Sequence, residues 1–345
     1  MAVHQGRCCA VHQLSAVIAS LTFSIANKSL SAGMEVAMNG FTNILYFADG
    51  ELSMTPALQR AIRLAYHNQA TLTLMDVADR LSPNGSLKNR LKLDINEIVQ
   101  RFHQQSLSDL ISGVSQLKHP IGVKVASGWG FIEVIREVMR GSYDLLIKSA
   151  RYGCHQGLSS SDMHLLRKCP CPVWIDRAEA ATPYRRILVA VDPNSEHQDD
   201  CADRALELGS WVAGDDGSRL VLVHAWELPG ESMMRSGLLE FENHQLESLL
   251  AEARLKQELA IHGLLERHQL TPAEVDVQLR KGPPAEVIHD VSEELSADLV
   301  VMGTVGRTGI PGFIIGNTAE DVLQSSGCSV LAVKPSGFVS PVEPE

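Results

Sequence analysis

The chain is short of the features that mark several common protein classes. No apolar run reaches the roughly 18 residues needed to cross a bilayer, so no membrane-spanning helix is expected. No CxxC pair occurs, which removes the usual zinc ribbons and fingers. No G-x-S-x-G stands before a helix, so an esterase elbow has no support. Aromatic residues make up only 5% of the chain. Basic residues are also in deficit, 30 against 41 acidic ones, for a net charge of −11. A dedicated DNA or RNA binder needs clustered Lys and Arg, and this balance argues against one. A nucleotide needs only one local anion site and stays allowed. The seven cysteines are an odd number and are scattered: Cys8, Cys9, Cys154, Cys169, Cys171, Cys201 and Cys328. They give no disulfide framework and suit free thiols in a reducing cytoplasm.

What the chain has is a regular alternation over its 345 residues. Short apolar runs such as Asn43–Phe47 (NILYF), Thr71–Val77, Ile121–Ala126, Asp144–Ile147 and Pro172–Ile175 are separated by stretches of helical period at 53–69, 87–117, 130–140 and 160–168. The pattern then recurs. Runs at Arg186–Val191, Arg219–Ala225, Val275–Leu279, Asp298–Met302 and Ser329–Val333 alternate with helical stretches at 199–213, 240–268, 284–296 and 317–326. Alternation of this kind is the signature of βαβ units and a parallel sheet. Landmarks pair between the halves: Asp49 with Asp192, Asp144-Leu145-Leu146-Ile147 with Asp298-Leu299-Val300-Val301, and Cys171 with Cys328. A repeat of about 150 residues is too long for a solenoid. The reading is α/β, with two tandem Rossmann-like domains, each a five-stranded parallel sheet with helices on both faces. The domains are placed at 41–176 and 185–335, joined by a linker at 177–184. Residues 1–40 are read as an extension, disordered or upstream of a true start near Met34 or Met38. Their stretch Leu14–Ala26 is broken by Ser15, Ser20, Thr22 and Ser24, and makes a poor signal peptide. The tail 336–345 is expected to be disordered.

Ligands of doubly wound sheets sit at the carboxyl ends of the strands. One such end carries the sequence's densest signal. After Asp298–Met302 come five glycines within fourteen positions: Gly303, Gly306, Gly309, Gly312 and Gly316. A helical stretch follows, with Asn317 read as its N-cap. Glycines let backbone N–H groups approach an anion, a helix N-terminus adds positive potential, and Arg307 adds a charge. Together these suit a di- or triphosphate. The loop is not a Walker A sequence, since no Gly-Lys-[Ser/Thr] closes it.

The spacing Gly303-x2-Gly306-x9-Gly316-Asn317 resembles the nucleotide motif of the universal stress protein family, in which the last glycine precedes Ser or Thr. The phrases Asp144-Leu145-Leu146-Ile147-Lys148, His164-Leu165-Leu166-Arg167-Lys168-Cys169-Pro170 and Gly303-Thr304-Val305-Gly306-Arg307-Thr308-Gly309-Ile310 are similar to tandem members of that family. The likeness covers roughly residues 41–335. It implies the adenine nucleotide alpha hydrolase-like version of the α/β fold. It also implies ATP, with or without Mg2+, bound in the second domain. Asp192, with Ala190 and Val191 before it, would meet the adenine and ribose side. Val223, His224 or Ala225 would flank the base, beside Met302. Gly303, Gly306, Gly316 and Asn317 would hold phosphates, with Arg307 and Thr318 nearby. Asn317 departs from the family's Ser or Thr; its N–H can still donate, but a hydroxyl contact is lost. The family also pairs domains through the last strand, which implies an intramolecular pseudo-dimer of the two domains, with a homodimer as a further option.

In the first half Ser149, Tyr152 and Ser159 stand against Gly303, Gly306 and Gly316, and the loop is three residues shorter. A tyrosine where backbone must approach a phosphate would block it. The first domain is therefore expected not to bind ATP in the family's manner. Trp129 and Trp174 there are read as core residues first and as lining of an apolar cavity second. No second acidic residue is placed by motif beside the glycine loop, and His224 reads as a core or capping histidine before a general base. The function expected is a cytoplasmic stress-response module that signals through protein partners rather than by catalysis. The competing readings are a structural or small-ligand-sensing protein without nucleotide, and a slow ATPase.

Overall fold

The computed structural model describes residues 40–78, 95–114, 117–150, 158–177, 183–194, 200–236, 242–304 and 316–344. The chain divides into two units. Unit 1 holds the described residues up to Ala150 together with 160–177 and 340–344, and unit 2 holds the remainder.

Unit 1 runs β1 (Asn43–Phe47), α1 (Pro56–Asn68), β2 (Thr71–Ala78), α2 (Ile95–Ile111), β3 (Gly122–Ser127), α3 (Gly130–Gly141), β4 (Leu145–Ser149), α4 (Ser160–Lys168) and β5 (Val173–Asp176). Its strands lie in the order β3-β2-β1-β4-β5, and every pairing is parallel. Unit 2 repeats this with β6 (Arg186–Ala190), α5 (Cys201–Asp216), β7 (Arg219–Trp226), α6 (Glu231–Arg235), α7 (Asn243–Arg267), β8 (Val275–Lys281), α8 (Pro284–Glu294), β9 (Leu299–Gly303), α9 (Asn317–Ser325) and β10 (Ser329–Val333). The order is β8-β7-β6-β9-β10, again wholly parallel. The expected α/β architecture of two five-stranded repeats is what forms.

The central strands are buried on both faces, which is why they read as continuous apolar runs rather than alternations. Leu145, Leu146 and Ile147 in β4 and Leu299, Val300 and Val301 in β9 are all fully buried. Helices are set by local signals as well. Thr55 caps α1, its Oγ1 accepting from the Leu58 N–H at 3.1 Å, and Pro56 follows at the first helical position. Gln69 closes α1 in the left-handed region, at φ 54°. On α5, a Cβ at Gly209 would come within 2.3 Å of Val189 Cγ2, so this helix rests on β6 at a distance only glycine allows.

The paired aspartates mark the foot of each sheet. Asp144 accepts from the backbone N–H of Thr42 at 2.7 Å and of Asn43 at 3.0 Å. Asp298 does the same for Arg185 at 2.6 Å and Arg186 at 2.9 Å. A carboxylate just before β4 or β9 thus satisfies the first amides of β1 or β6, which precede the sheet ladder. Strand order switches direction between β1 and β4, and between β6 and β9, so each crevice opens at the far, carboxyl ends of these pairs.

Three details differ from the sequence reading. The helical stretch 87–117 is a helix over Ile95–Ile111, with residues 79–94 outside the described part. Between the run Arg219–Ala225 and the helical stretch 240–268 lies the short α6, which the alternation does not mark. Trp174 is fully buried as a core residue, while Trp129 is 76% exposed.

Candidate functional site

In unit 2 the crevice is bounded by the ends of β6, β7 and β9 and the start of α9. Ala190 pairs with Met302 across β6 and β9, and Val191 donates its N–H to Val223 O at 3.1 Å. Ala190, Val191, Val223 and Met302 are all buried and form an apolar floor. Asp192 follows, and its Oδ1 accepts the Asn194 N–H at 3.1 Å, a turn that fixes the carboxylate at the strand end. His224 is buried on β7. Its Nδ1 lies 3.0 Å from Val191 O, and its Nε2 lies 3.1 Å from Gln257 Oε1. Gln257 Oε1 also accepts from Asn194 Nδ2. Asp192, Asn194, Gln257 and His224 are therefore one connected polar chain along the end of β6. Both ring nitrogens of His224 thus face oxygen atoms of the protein.

The glycine loop is anchored at both ends. Thr304 donates its N–H to Val333 O at 3.2 Å, and its own carbonyl accepts the Gly316 N–H at 3.1 Å. Thr304 is buried, and its Oγ1 accepts from Lys334 Nζ at 2.5 Å. Gly303 packs on the start of α5, where a Cβ would lie 3.2 Å from Cys201 Cβ and 3.3 Å from its Sγ. Gly306 and Arg307 lie outside the described residues. Gly316 is the N-cap of α9, at φ −64° and ψ 142°, and Asn317 is the first helical residue. This corrects the reading of Asn317 as the cap. The cap is set by Gly316 O accepting the Glu320 N–H at 2.9 Å, one residue earlier than the side-chain preference implied. Asn317 is exposed, Thr318 half-buried and Ala319 buried. The structure therefore gathers Ala190, Val191, Asp192, Val223, His224 and Met302 with the two ends of the loop at the carboxyl ends of the strands.

The matching place in unit 1 is chemically different. Lys148 takes the strand position of Met302, since Phe47 pairs with Lys148 as Ala190 pairs with Met302. Asp162 is the third residue of α4, as Ala319 is the third of α9. Lys148 Nζ donates to Asp162 Oδ1 and, at 2.8 Å, to Asp49 Oδ2. Lys148 and Asp162 are fully buried, and Asp49 is 14% exposed. An ammonium and a carboxylate of the protein thus occupy the strand end and the first turn of the helix, and draw in the aspartate that corresponds to Asp192. Next to them, Asp76 holds the Gly50 N–H at 2.9 Å and His103 Nδ1 at 2.5 Å, where unit 2 has His224. None of Lys148, Asp162, Asp76 and His103 was singled out as a site residue from the sequence. Comparison of the halves at matched positions carries the signal: a Met and an Ala in one copy become a Lys and an Asp in the other.

Among the described residues no group of three or more His, Cys, Asp or Glu side chains could hold a metal ion. Nor is any helix among them long and apolar enough to cross a membrane.

Comparison with known proteins agrees with this architecture. The model of the universal stress protein family matches residues 40–177 and again residues 183–334. Universal stress protein E of Escherichia coli (strain K12) is 32% identical over 330 residues, spanning 88% of this chain and 97% of that protein. The protein of the same name from Photorhabdus laumondii is 28% identical over 336 residues, spanning 89% and 99%. Among solved structures, a functionally unknown protein from Pseudomonas aeruginosa PAO1 superimposes with a TM-score of 0.63 at 22% identity, over 88% of this chain and 95% of that one. A universal stress protein from Archaeoglobus fulgidus gives 0.52 at 19% identity, over 85% and 98%. These two likenesses speak to the fold.

Proposed function

The chain belongs to the universal stress protein family, and from that membership we propose that unit 2 binds ATP or a related adenine nucleotide and that unit 1 does not. The observation that carries this is the contrast between the two crevices. Where unit 1 places Lys148 and Asp162, unit 2 has Met302 and Ala319, so no charged side chain takes those two positions. A phosphate chain is favoured at a helix N-terminus. The same place holding Asp162 would repel it and leave it no room. Asp192 and the apolar floor of Ala190, Val191, Val223 and Met302 suit ribose and adenine, with His224 held behind them. Gly303, Gly306, Arg307, Gly316, Asn317 and Thr318 are the phosphate side of this reading. Mg2+ would arrive with the nucleotide, as no acidic cluster among the described residues provides for it.

The output of such a module is a partner interaction in the cytoplasm that depends on the bound nucleotide, not turnover. The test is calorimetric titration of Mg-ATP into the full chain, beside Gly306→Val and Asp192→Ala variants. One site is expected, with at least about tenfold weaker binding in each variant, near 1.4 kcal/mol or more. No heat from the folded native protein would overturn the reading in favour of a structural or small-ligand-sensing role. Steady release of phosphate would favour the slow ATPase.

A further inference from the structure

The turn between α4 and β5 brings two sulfur atoms together. Cys169 Sγ and Cys171 Sγ lie 3.5 Å apart across Pro170. Cys169 is fully buried and Cys171 is 7% exposed. Unit 2 contains the same turn 157 residues on, with Ser326, Gly327 and Cys328. The backbone closes both turns alike. Cys169 N–H donates to Leu165 O at 3.0 Å, and Ser326 N–H donates to Val322 O at 2.8 Å. The side chains also meet alike: Ser326 Oγ and Cys328 Sγ are 3.0 Å apart. The convergence of the first and third side chains is therefore a property of the turn. Only unit 1 puts a thiol at both places.

We propose that Cys169 and Cys171 are an oxidisable dithiol, which hydrogen peroxide converts into an intrachain disulfide. The Cys171 thiol, the one with residual exposure, attacks the peroxide oxygen and breaks the O–O bond, giving a sulfenic acid and one water. Cys169 then attacks that sulfur, the S–O bond breaks, and the disulfide forms as a second water leaves. Two thiols are oxidised by two electrons, and one peroxide is reduced. The sulfur atoms must close from 3.5 Å to about 2.05 Å, so each moves roughly 0.7 Å. The hydrogen bond shared with Cys169, and then burial, push the Cys171 thiol up, so the pair reacts slowly near neutrality and faster as pH rises.

The test is exposure of the folded full chain to hydrogen peroxide at pH 7 and pH 8.5, followed by alkylation and peptide mass mapping. The expected result is a peptide across 169–171 lighter by two hydrogens, formed faster at pH 8.5. Cys328, with a hydroxyl beside it, forms no such link in the same sample. Cys169→Ser should keep the fold, since unit 2 already has serine at that place, and should lose the cross-link. Ser326→Cys should create a cross-link with Cys328. Uptake of oxygen at Cys171 without a cross-link would overturn the proposal. So would thiols that stay reduced in the folded chain while cross-linking after denaturation.

Discussion

Replacing Lys148 by methionine removes the central ammonium of the buried cluster in unit 1. Its two partners respond differently. Asp162 is fully buried and Asp49 is 14% exposed. Removing one member of a buried ion pair costs about 3–5 kcal/mol, because the remaining charge is held away from water without its counterion. Methionine is close to lysine in volume, so a cavity adds little. Asp162→Ala is expected to cost less, about 1–3 kcal/mol, because Lys148 keeps its 2.8 Å bond to Asp49. The double variant installs the Met and Ala that unit 2 already carries at these positions. Replacing a buried ion pair by apolar residues is often neutral or stabilising, so the double variant should fall within about 1 kcal/mol of the native chain. The two changes are then non-additive by at least about 2 kcal/mol. A two-unit chain need not unfold in one step. The suitable assay is therefore native-state hydrogen exchange at the amides of β1 and β4, which reports the opening of unit 1 itself. The reasoning fails if the double variant is as damaged as the sum of the single ones, or if Lys148→Met is neutral.

Three further outcomes follow from named contacts. Gly209→Ala sets a Cβ 2.3 Å from Val189 Cγ2 and should destabilise unit 2 by about 1–3 kcal/mol, partly relieved by Val189→Ala in the same chain; exchange rates in β6 would show it. Gly303→Ala meets Cys201 at 3.2–3.3 Å and should weaken ATP binding several-fold more than it weakens the fold, with Cys201→Ala restoring part of the affinity. Asp203 is held below the ordinary carboxylate range, first by its hydrogen bond from Arg267, with His268 also contributing. Its contribution is fully present above about pH 4, its unfolded-state value, and is lost as pH falls through the lower folded-state value. Asp203→Asn should thus cost under about 1 kcal/mol at pH 7, because the group is partly solvated, and the difference should vanish in stronger acid. An unchanged difference at low pH would count against this assignment.

The parallel strands were readable because burial on both faces leaves no alternation to confuse them, and the repeat supplied each strand twice. The loop from Gly303 to Gly316 was readable because glycines between a strand and a helix carry their own physical meaning. The ion cluster was not. Lys148 ends an apolar run, and a lysine there ordinarily reads as a strand reaching water. Its partners stand 99 and 14 residues away, separations at which periodicity is silent. The cap of α9 was placed one residue late because side-chain preference favours asparagine over glycine at that position, while the backbone bond from Glu320 decides it. Gln257, whose Oε1 lies 3.1 Å from His224 Nε2, sits in the middle of a 25-residue helix and has no local mark in the sequence.

The filled crevice of unit 1 also bears on history. If the two halves descend from one ancestor, the aspartate did not precede the lysine, since Asp162 alone is a buried charge without its counterion, whereas Lys148 alone keeps Asp49. The same barrier now stands in the reverse direction. A single codon change that removes one charge passes through a weakened chain before the second change restores it. A duplicated domain that has taken its own side chains as ligand is thereby committed. Its partner copy is left as the half in which small changes at the rim can still be selected for a new ligand.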